Sequence, residues 1–256
     1  RGIAMKKSRI EKIKELIEKN GKVSYDELAA LMPNYSEMTL RRDLCALENE
    51  GLIIRVRGGA FSLNELSKKT EEQFSARVGF NIGEKKEIAA KAIELIDATN
   101  SLFVDSGSTT LYFAKQLPNI NYFIVTNGLN IATELLKKSM MMVTVIGGDV
   151  SRNNLATVGK ASLDWLDRIN IDTAVMTTTA YNDSTGFTCG SQPEAEIKAA
   201  VIRKAKRVIM LLDGSKVDRT MPYTFAYPRE IDIIVVDANF PKEKIAAFKA
   251  EGVEVV

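Results

Sequence analysis

The sequence predicts an α/β protein in which an N-terminal winged helix-turn-helix is followed by a mainly parallel α/β domain. Three observations predict it: helix signals leading into two short alternating strands near the N-terminus, apolar runs alternating with amphipathic segments from Glu84 onward, and small polar residues directly after those runs. We place the first domain at residues 5–63, a linker at 64–83 and the second domain at 84–256.

The segment SEMTLRRDL at residues 36–44 has the pattern of a helix with arginines near its N-terminus. The leucines at 40, 44 and 47 share one face at 3.6 residues per turn, and Cys45 lies on the opposite side. A capping hydroxyl, an apolar inner face and an arginine-rich outer face are typical of a helix that reads the DNA major groove. The candidate DNA-contacting residues on this helix are Ser36, Met38, Thr39, Arg41 and Arg42. By itself the pattern also fits a solvated amphipathic helix.

The surrounding segments favour the DNA-binding interpretation. An apolar face over 9–19 predicts a first helix, and Ser24 with Glu27 forms a capping box for a second, with Val23 and Leu28 as its hydrophobic staple. Gly51 is the predicted C-cap of the arginine helix. Strands at 52–57 and 60–63 then flank a Gly-Gly turn and form a hairpin, and this wing places two further candidates near DNA phosphates, Arg55 and Arg57.

Composition limits the possible chemistry. The chain has 45% apolar and 27% charged residues, no apolar run near the length of about 20 residues that spans a bilayer, and no secretory signal. Histidine is absent and the two cysteines fall in different predicted domains, which argues against His-activated nucleophiles, disulfides and the usual zinc sites. We expect a cytoplasmic protein without membrane association, catalytic residues, metal or cofactor.

Basic residues are concentrated in the first domain. Residues 1–60 contain 12 Lys and Arg against 9 Asp and Glu, whereas the rest of the chain has a net charge of −1. An excess of three is small for tight DNA binding, so we expect two such domains to act together in a homodimer or homotetramer on a two-fold double-stranded operator.

The second domain alternates strands and helices, which predicts a mainly parallel sheet covered on both faces. The predicted strands are Leu102–Asp105, Tyr122–Thr126, Met142–Ile146, Thr173–Met176, Val208–Leu212, Ile233–Val236 and Val253–Val256. The predicted helices are 84–97, 109–117, 128–138, 160–168, 193–205 and 241–251.

Small polar residues follow five of these strands, where ligands bind in open α/β sheets. Ordinary loop chemistry would explain any one of them. The clearest is DSGSTT at 105–110, because its glycine, its hydroxyls and the N-terminus of the following helix form an anion cradle suited to a phosphate monoester. It has neither the P-loop ending nor the Rossmann glycine spacing.

These motifs resemble those of DeoR-family transcriptional repressors. In the first domain the resemblance rests on SEMTLRRDL, LENEGLIIRVRGGA and the spacing back to Arg9, with Arg57 at a position where the family often has histidine. In the second it rests on DSGSTT, VTNGLNIA (125–132), Gly147-Gly148, Gly159, EAEIKAAVIRKA (194–205) and DGSK (213–216).

The resemblance implies an effector domain similar in fold to ribose-5-phosphate isomerase that binds a phosphorylated sugar or polyol. It assigns the phosphate to Ser106, Gly107, Ser108, Thr109 and Thr110, places Asp105 at the edge of the sugar site, and lines the remainder with Asn127, Gly148, Glu196, Lys198 and Lys216. Glu196 and Lys198 are two positions apart and cannot share a helix face, so we expect different roles for them.

Two segments depart from or extend the family pattern. Residues 177–181 read TTTAY where the family usually has a glycine-containing stretch, so we expect a narrower pocket or one with added hydroxyls. Residues 187–190 are read as a loop that is equally compatible with shaping the pocket and with a plain connection.

Three functions fit this organisation. The first is a ligand-controlled regulator, most simply a repressor of a sugar or polyol catabolic operon that is relieved by the bound phosphate ester. The second is a sugar-phosphate isomerase that carries a DNA-binding domain, with Asp105, Glu196 and Lys216 as nominal catalytic groups. The third is a repressor whose second domain is a dimerisation module with a vestigial pocket.

Overall fold

The computed structural model describes residues 2–49, 52–56, 58–62, 74–98 and 100–256, which divide between two compact units, Arg1–Thr70 and Glu71–Val256. Within these ranges no helix combines the length and the apolar character that crossing a membrane requires.

The first unit is a winged helix-turn-helix. Its antiparallel sheet contains the predicted hairpin, in which Ile53–Val56 pairs with Gly59–Ser62, and this hairpin gains a third strand, Lys22–Ser24, that the sequence did not predict. The elements are α1 (Gly2–Asn20), β1 (Lys22–Ser24), α2 (Tyr25–Leu31), α3 (Glu37–Asn49), β2 (Ile53–Val56) and β3 (Gly59–Ser62).

A capping signal explains where α2 begins, and leucines explain which face of α3 is buried. The capping box is present: Ser24 Oγ accepts from the Glu27 backbone N–H at 3.1 Å, and Glu27 Oε2 accepts from the Ser24 N–H at 2.7 Å. The inner face of α3 is buried through Leu40, Leu44 and Leu47, which are at most 1% exposed. The predicted C-cap Gly51 lies outside the described residues.

The second unit contains seven helices and twelve strands within the described residues. The helices are α4 (Phe74–Gly79), α5 (Ile82–Glu94), α6 (Ser108–Gln116), α7 (Leu129–Leu135), α8 (Lys160–Leu166), α9 (Gln192–Lys204) and α10 (Lys242–Ala250). The strands are β4 (Ser101–Val104), β5 (Phe123–Thr126), β6 (Met142–Val145), β7 (Asp149–Ser151), β8 (Ala156–Val158), β9 (Ile171–Thr177), β10 (Ala180–Asn182), β11 (Gly186–Cys189), β12 (Ala205–Leu212), β13 (Tyr223–Ala226), β14 (Ile233–Val236) and β15 (Glu254–Val255).

A seven-stranded parallel sheet organises this unit, in the order β15-β14-β12-β9-β4-β5-β6. Successive side chains point to opposite faces, and both faces are buried: Leu102 and Val104 join one apolar cluster, while Phe103 joins the other. This double burial explains why the strands read as continuous apolar runs, and all seven strands of the sheet are the seven that the sequence predicts.

Smaller elements were not predicted. A hairpin pairs β7 with β8, and a separate antiparallel sheet has the order β10-β11-β13. The reading of 187–190 as a loop is wrong, because Phe187, Thr188 and Cys189 lie in β11 and are fully buried. Part of the segment read as a linker is helix α4, which belongs to the second unit because Phe74 packs into one of its apolar clusters.

Candidate functional site

The outer face of α3 presents the candidate DNA-contacting side chains to solvent. Met38 is 62% exposed, and the Arg42 side chain has no hydrogen-bond or ion-pair partner in the part of the chain that the structure describes. Ser36 precedes the helix, and its hydroxyl lies 2.9 Å from the Thr39 hydroxyl, so these two groups already form a hydrogen bond with each other. Arg42 is therefore the side chain on this face that is most available to a base or a phosphate.

The other described arginines of this surface have partners. Arg41 donates to Glu37 at 2.7 Å and lies over the Tyr25 ring, 4.2 Å from its centroid. Arg55 donates to Glu48 at 2.6 Å, and this hydrogen bond raises the pKa of the guanidinium. Exposed ion pairs of this kind are weak, so the guanidinium groups can exchange a carboxylate for a phosphate oxygen. Arg57 lies outside the described residues.

In the second unit the candidate effector site lies where the strand order reverses. The chain proceeds from β4 to β5 on one side and from β9 to β12 on the other, and β4 and β9 are neighbours. Crevices beyond the carboxyl ends of two such strands are the ligand sites of open α/β sheets. Asp105 directly follows β4, and Thr177 ends β9, so both lie at this crevice.

Gly107 allows the loop after β4 to approach β9 closely. A Cβ atom at this position would lie 2.1 Å from Thr177 Oγ1, so only glycine fits. Gly107 is also the N-cap of α6, and no side chain caps that helix, so the first backbone N–H groups of α6 face the crevice without a capping partner. The hydroxyls of Ser106, Ser108 and Thr109 have no hydrogen-bond partner among the described residues.

Asp105 is the most constrained side chain of the site. It is 1% exposed, and its Oδ2 accepts from the Thr177 hydroxyl at 2.6 Å, from the Thr177 backbone N–H at 3.1 Å and from Lys198 at 2.5 Å. Its other oxygen, Oδ1, is buried and has no hydrogen-bond partner. The carboxylate is thus fixed on one side and left with an unused acceptor on the other.

Lys198 is buried between two carboxylates. Its ammonium contacts Asp105, donates to the Thr177 carbonyl at 3.0 Å and lies 3.6 Å from Glu194. Burial by itself lowers the pKa of Lys198, but the charges of Asp105 and Glu194 outweigh it, so the pKa is raised and the side chain stays protonated.

Among the other residues assigned to the site, several have internal roles. The Thr110 hydroxyl donates to the carbonyls of Asp105 and Gly107, at 2.6 and 2.8 Å, so it closes the turn and is not free for a phosphate. Gly148 has φ +148°, and a Cβ there would lie 2.1 Å from Ser162 Oγ, so its role is to let this turn pack on α8. Lys216 is half-buried on the turn that follows β12, at the same edge of the sheet.

The last two residues assigned to the site differ in burial. Asn127 follows β5 and is 1% exposed, and its Oδ1 is buried without a hydrogen-bond partner. Glu196 is exposed and accepts from Gln192 at 2.9 Å, so it lies away from Asp105 and Lys198. Of these two residues only Lys198 contacts Asp105, and the expectation that they have different roles stays a prediction.

Sequence reasoning missed two residues that line this region. Glu194 is four residues before Lys198, and that spacing places both on one helix face, so the signal was present. Both amide atoms of Asn130 are buried without hydrogen-bond partners. Asn130 Oδ1 and Ser106 Cα each lie 3.0 Å from the position that a Cβ atom on Gly128 would take, so the two residues are close together. Only the fold brings Asn130 close to the cradle.

Comparison with known proteins agrees with the division into two parts. The DeoR-like helix-turn-helix domain model matches residues 9–66, and the DeoR C-terminal sensor domain model matches residues 80–238. The chain is 34% identical over 223 residues to the HTH-type transcriptional regulator IolR of Bacillus subtilis (strain 168), covering 87% of each chain. It is 27% identical over 249 residues to a putative aga operon transcriptional repressor of Escherichia coli O157:H7, covering 97% of this chain and 92% of that one. Among solved structures, ribose 5-phosphate isomerase A from Neisseria gonorrhoeae aligns at a TM-score of 0.39 and 14% identity over 53% of each chain.

Proposed function

The chain belongs to the DeoR family of transcriptional regulators, and we propose that it represses a sugar or polyol catabolic operon until a phosphorylated sugar or polyol binds its second unit. Two copies would bind a two-fold operator through α3 and the wing. By linkage, an effector that weakens DNA binding must prefer the DNA-free arrangement, and operator DNA must weaken effector binding by the same factor.

The DNA-binding part of the proposal rests on the family and on α3. Its inner face is fully buried by leucines, so the outer face must remain exposed to water or meet a partner. Arg42 on that face has no partner among the described residues, and an arginine fork suits guanine edges or phosphate oxygens.

One observation carries the effector part: buried acceptors at the crevice lack partners. Asp105 Oδ1 and Asn127 Oδ1 are both buried and have no hydrogen-bond partner among the described residues. Leaving a buried polar group unpaired costs about 1–3 kcal/mol, so a site that retains two of them favours a ligand that supplies donors. Sugar and polyol hydroxyls are such donors, and the hydroxyls and N–H groups at the start of α6 suit the phosphate of the same molecule.

The isomerase alternative finds less support in this geometry. Glu196, one of its nominal catalytic groups, is exposed and bonded to Gln192. The relatives described above carry the names of transcriptional regulators.

The test is thermal unfolding of the full chain with a panel of phosphorylated sugars and polyols and their unphosphorylated counterparts. Trp165, the only tryptophan of the sequence, lies in the second unit, so its fluorescence reports that unit alone. At about 100 times the dissociation constant, an effector adds about 2.7 kcal/mol. We expect a rise of about 5–10 °C for one phosphate ester and none for its free sugar.

A charge placed in the cradle separates sensing from a vestigial pocket. Ser108→Asp puts a carboxylate where the phosphate would bind, so it should remove the thermal shift and the ligand response while DNA binding persists. The matched control Ser184→Asp adds the same charge to an exposed loop of the same unit. DNA binding is measured on a sequence selected in vitro by the full chain. An unchanged affinity for that DNA in the presence of saturating effector would refute the proposal.

A further inference from the structure

Helix α4 is the first described element after the segment that joins the two units. One set of its polar contacts lies with the turn between β7 and β8. The Phe74 N–H donates to the Asn153 carbonyl at 2.9 Å, and Arg77 Nη2 donates to Asn154 Oδ1. Two other helices also contact α4: the Tyr112 hydroxyl of α6 donates to the Val78 carbonyl at 3.0 Å, and Lys85 of α5 donates to the Arg77 carbonyl.

A continuous series of polar contacts runs from α4 to the cradle. Asn154 Nδ2 donates to Glu194 Oε2 at 2.6 Å, Glu194 Oε1 lies 3.6 Å from Lys198 Nζ, and Lys198 donates to Asp105 at 2.5 Å. We call Arg77, Asn154, Glu194, Lys198 and Asp105 the buried relay. All five are at most 8% exposed, so water screens their charges little. Positive and negative charges alternate along it, with an amide between Arg77 and Glu194.

The turn that carries Asn154 also touches the ligand-facing loop after β5. The Leu129 N–H donates to the Leu155 carbonyl at 2.8 Å, and the Thr157 N–H donates to the Asn127 carbonyl at 2.8 Å. Residues 153–157 therefore contact α4 at one end and Asn127 at the other. A displacement of Asn127 or of Asp105 reaches the same turn by two routes.

We propose that the buried relay couples the occupancy of the cradle to the stability of α4, the helix next to the joining segment. The inference rests on the proposed function only in taking the cradle as the effector site. A ligand hydroxyl that donates to Asp105 Oδ1 draws charge from the carboxylate and weakens its hold on Lys198. The ammonium is then freer to approach Glu194. Asn154 must adjust because it donates to that carboxylate, and Arg77 must adjust because it donates to Asn154.

The weakest step of the relay lies between Lys198 and Glu194. At 3.6 Å this contact is an ion pair beyond ordinary hydrogen-bond distance, whereas Asn154 contacts Glu194 at 2.6 Å. A shift of Lys198 toward Glu194 shortens this long contact and lengthens the short one to Asp105, so it depends on how strongly Asp105 holds the ammonium. This asymmetry makes the step responsive to the charge on Asp105.

A double-mutant cycle tests the proposal without any ligand. Asp105→Asn removes the charge at the cradle end, Asn154→Ala interrupts the relay, and amide hydrogen exchange of 74–79 in the full chain is the readout. Asp105→Asn should accelerate exchange in α4 when Asn154 is present and have at least about threefold less effect when it is absent, since residues in one polar network couple at about this level or above. Trp165 fluorescence checks that each variant is folded.

Matched variants make the outcome specific. Asn153→Ala changes the neighbouring asparagine, whose side chain is exposed, and should leave the effect of Asp105→Asn intact. If Asn154→Ala does not fold, Glu194→Gln interrupts the relay with little change of shape. The proposal would be overturned if Asp105→Asn and Asn154→Ala changed the exchange rate of α4 by independent factors that multiply. It would also be overturned if Asn153→Ala reduced the effect of Asp105→Asn as much as Asn154→Ala does. Because no effector is used, these outcomes are independent of whether a phosphate ester binds.

Discussion

Replacing Lys198 by methionine tests whether the buried ion cluster holds the second unit together. The substitution keeps most of the side-chain volume but removes the ammonium that lies between Asp105 and Glu194. Lys198 is 2% exposed, so water cannot take its place without opening the structure. Two carboxylates are then left without their counter-charge.

The magnitude follows from the cost of breaking a buried pair, about 3–5 kcal/mol when one partner is removed. For a unit of this size that corresponds to a fall of about 6–20 °C in the unfolding midpoint. The loss should be largest at pH 8 and smaller at pH 5, because proton uptake by a carboxyl relieves the unpaired negative charge in the variant. In the original chain the raised pKa of Lys198 gives stability that is fully present below about pH 10.4 and is lost as the pH rises through the higher folded value.

The assay is thermal unfolding at pH 5 and pH 8, followed by Trp165 fluorescence. Lys160→Met is the matched control, since Lys160 is 87% exposed in its pair with Asp164, and we expect no measurable change. A loss below about 1 kcal/mol, or one that grows as the pH falls, would refute the reasoning, since it would mean that the two carboxylates do not need Lys198.

Three further predictions concern single side chains. Arg42→Ala should cost about 1–3 kcal/mol of affinity for the selected DNA if the side chain reads a base. Filter binding measures this loss, and an equal loss on random DNA would limit the role of Arg42 to phosphate contact. Gly107→Ala should destabilise the second unit by about 1–3 kcal/mol, because its Cβ would lie 2.1 Å from a threonine hydroxyl. The control Gly147→Ala places its Cβ in open space and should not lower the stability. Equal thermal midpoints for the two variants would contradict this prediction. The pKa of Asp172 is lowered to about 2, first by its hydrogen bond from Lys206 and then by Ser101, so its stabilising effect is present above about pH 3.9 and lost as the pH falls toward 2. Lys206→Met should raise that pKa in an NMR titration, and an unchanged value would exclude Lys206 as its cause.

The parallel sheet was predictable because burial on both faces leaves a strong pattern. Val208–Leu212 and Ile233–Val236 are apolar at every position, and they lie in β12 and β14, respectively. Shorter antiparallel strands carry no such run. In β11, Phe187 and Cys189 alternate with Thr188 and follow Gly186, a composition that fits a loop equally well until packing decides.

The candidate site was predictable where it depends on neighbours along the chain. The loop after β4 and the start of α6 are adjacent in the sequence, so the sequence alone was enough to predict the cradle around Gly107. Contacts such as Arg77 with Asn154 join residues far apart in the chain, and no local pattern announces them. Glu194 is intermediate: its spacing of four from Lys198 was visible, but the exposed Glu196 was equally acidic and only burial distinguishes the two.

The pairing of Lys198 changes how a phosphate would be recognised. Its ammonium is surrounded by Asp105, Glu194 and a carbonyl oxygen, so it neutralises the protein's own charges and is not available as a separate cation for the ligand. A phosphate in the cradle would then depend on backbone N–H groups and neutral hydroxyls, which bind by geometry at close range. Neutral donors attract anions weakly from a distance, so a cradle of this kind would select its ligand at close range. We expect an ester to be preferred over free phosphate if a hydroxyl of its sugar or polyol donates to Asp105 Oδ1.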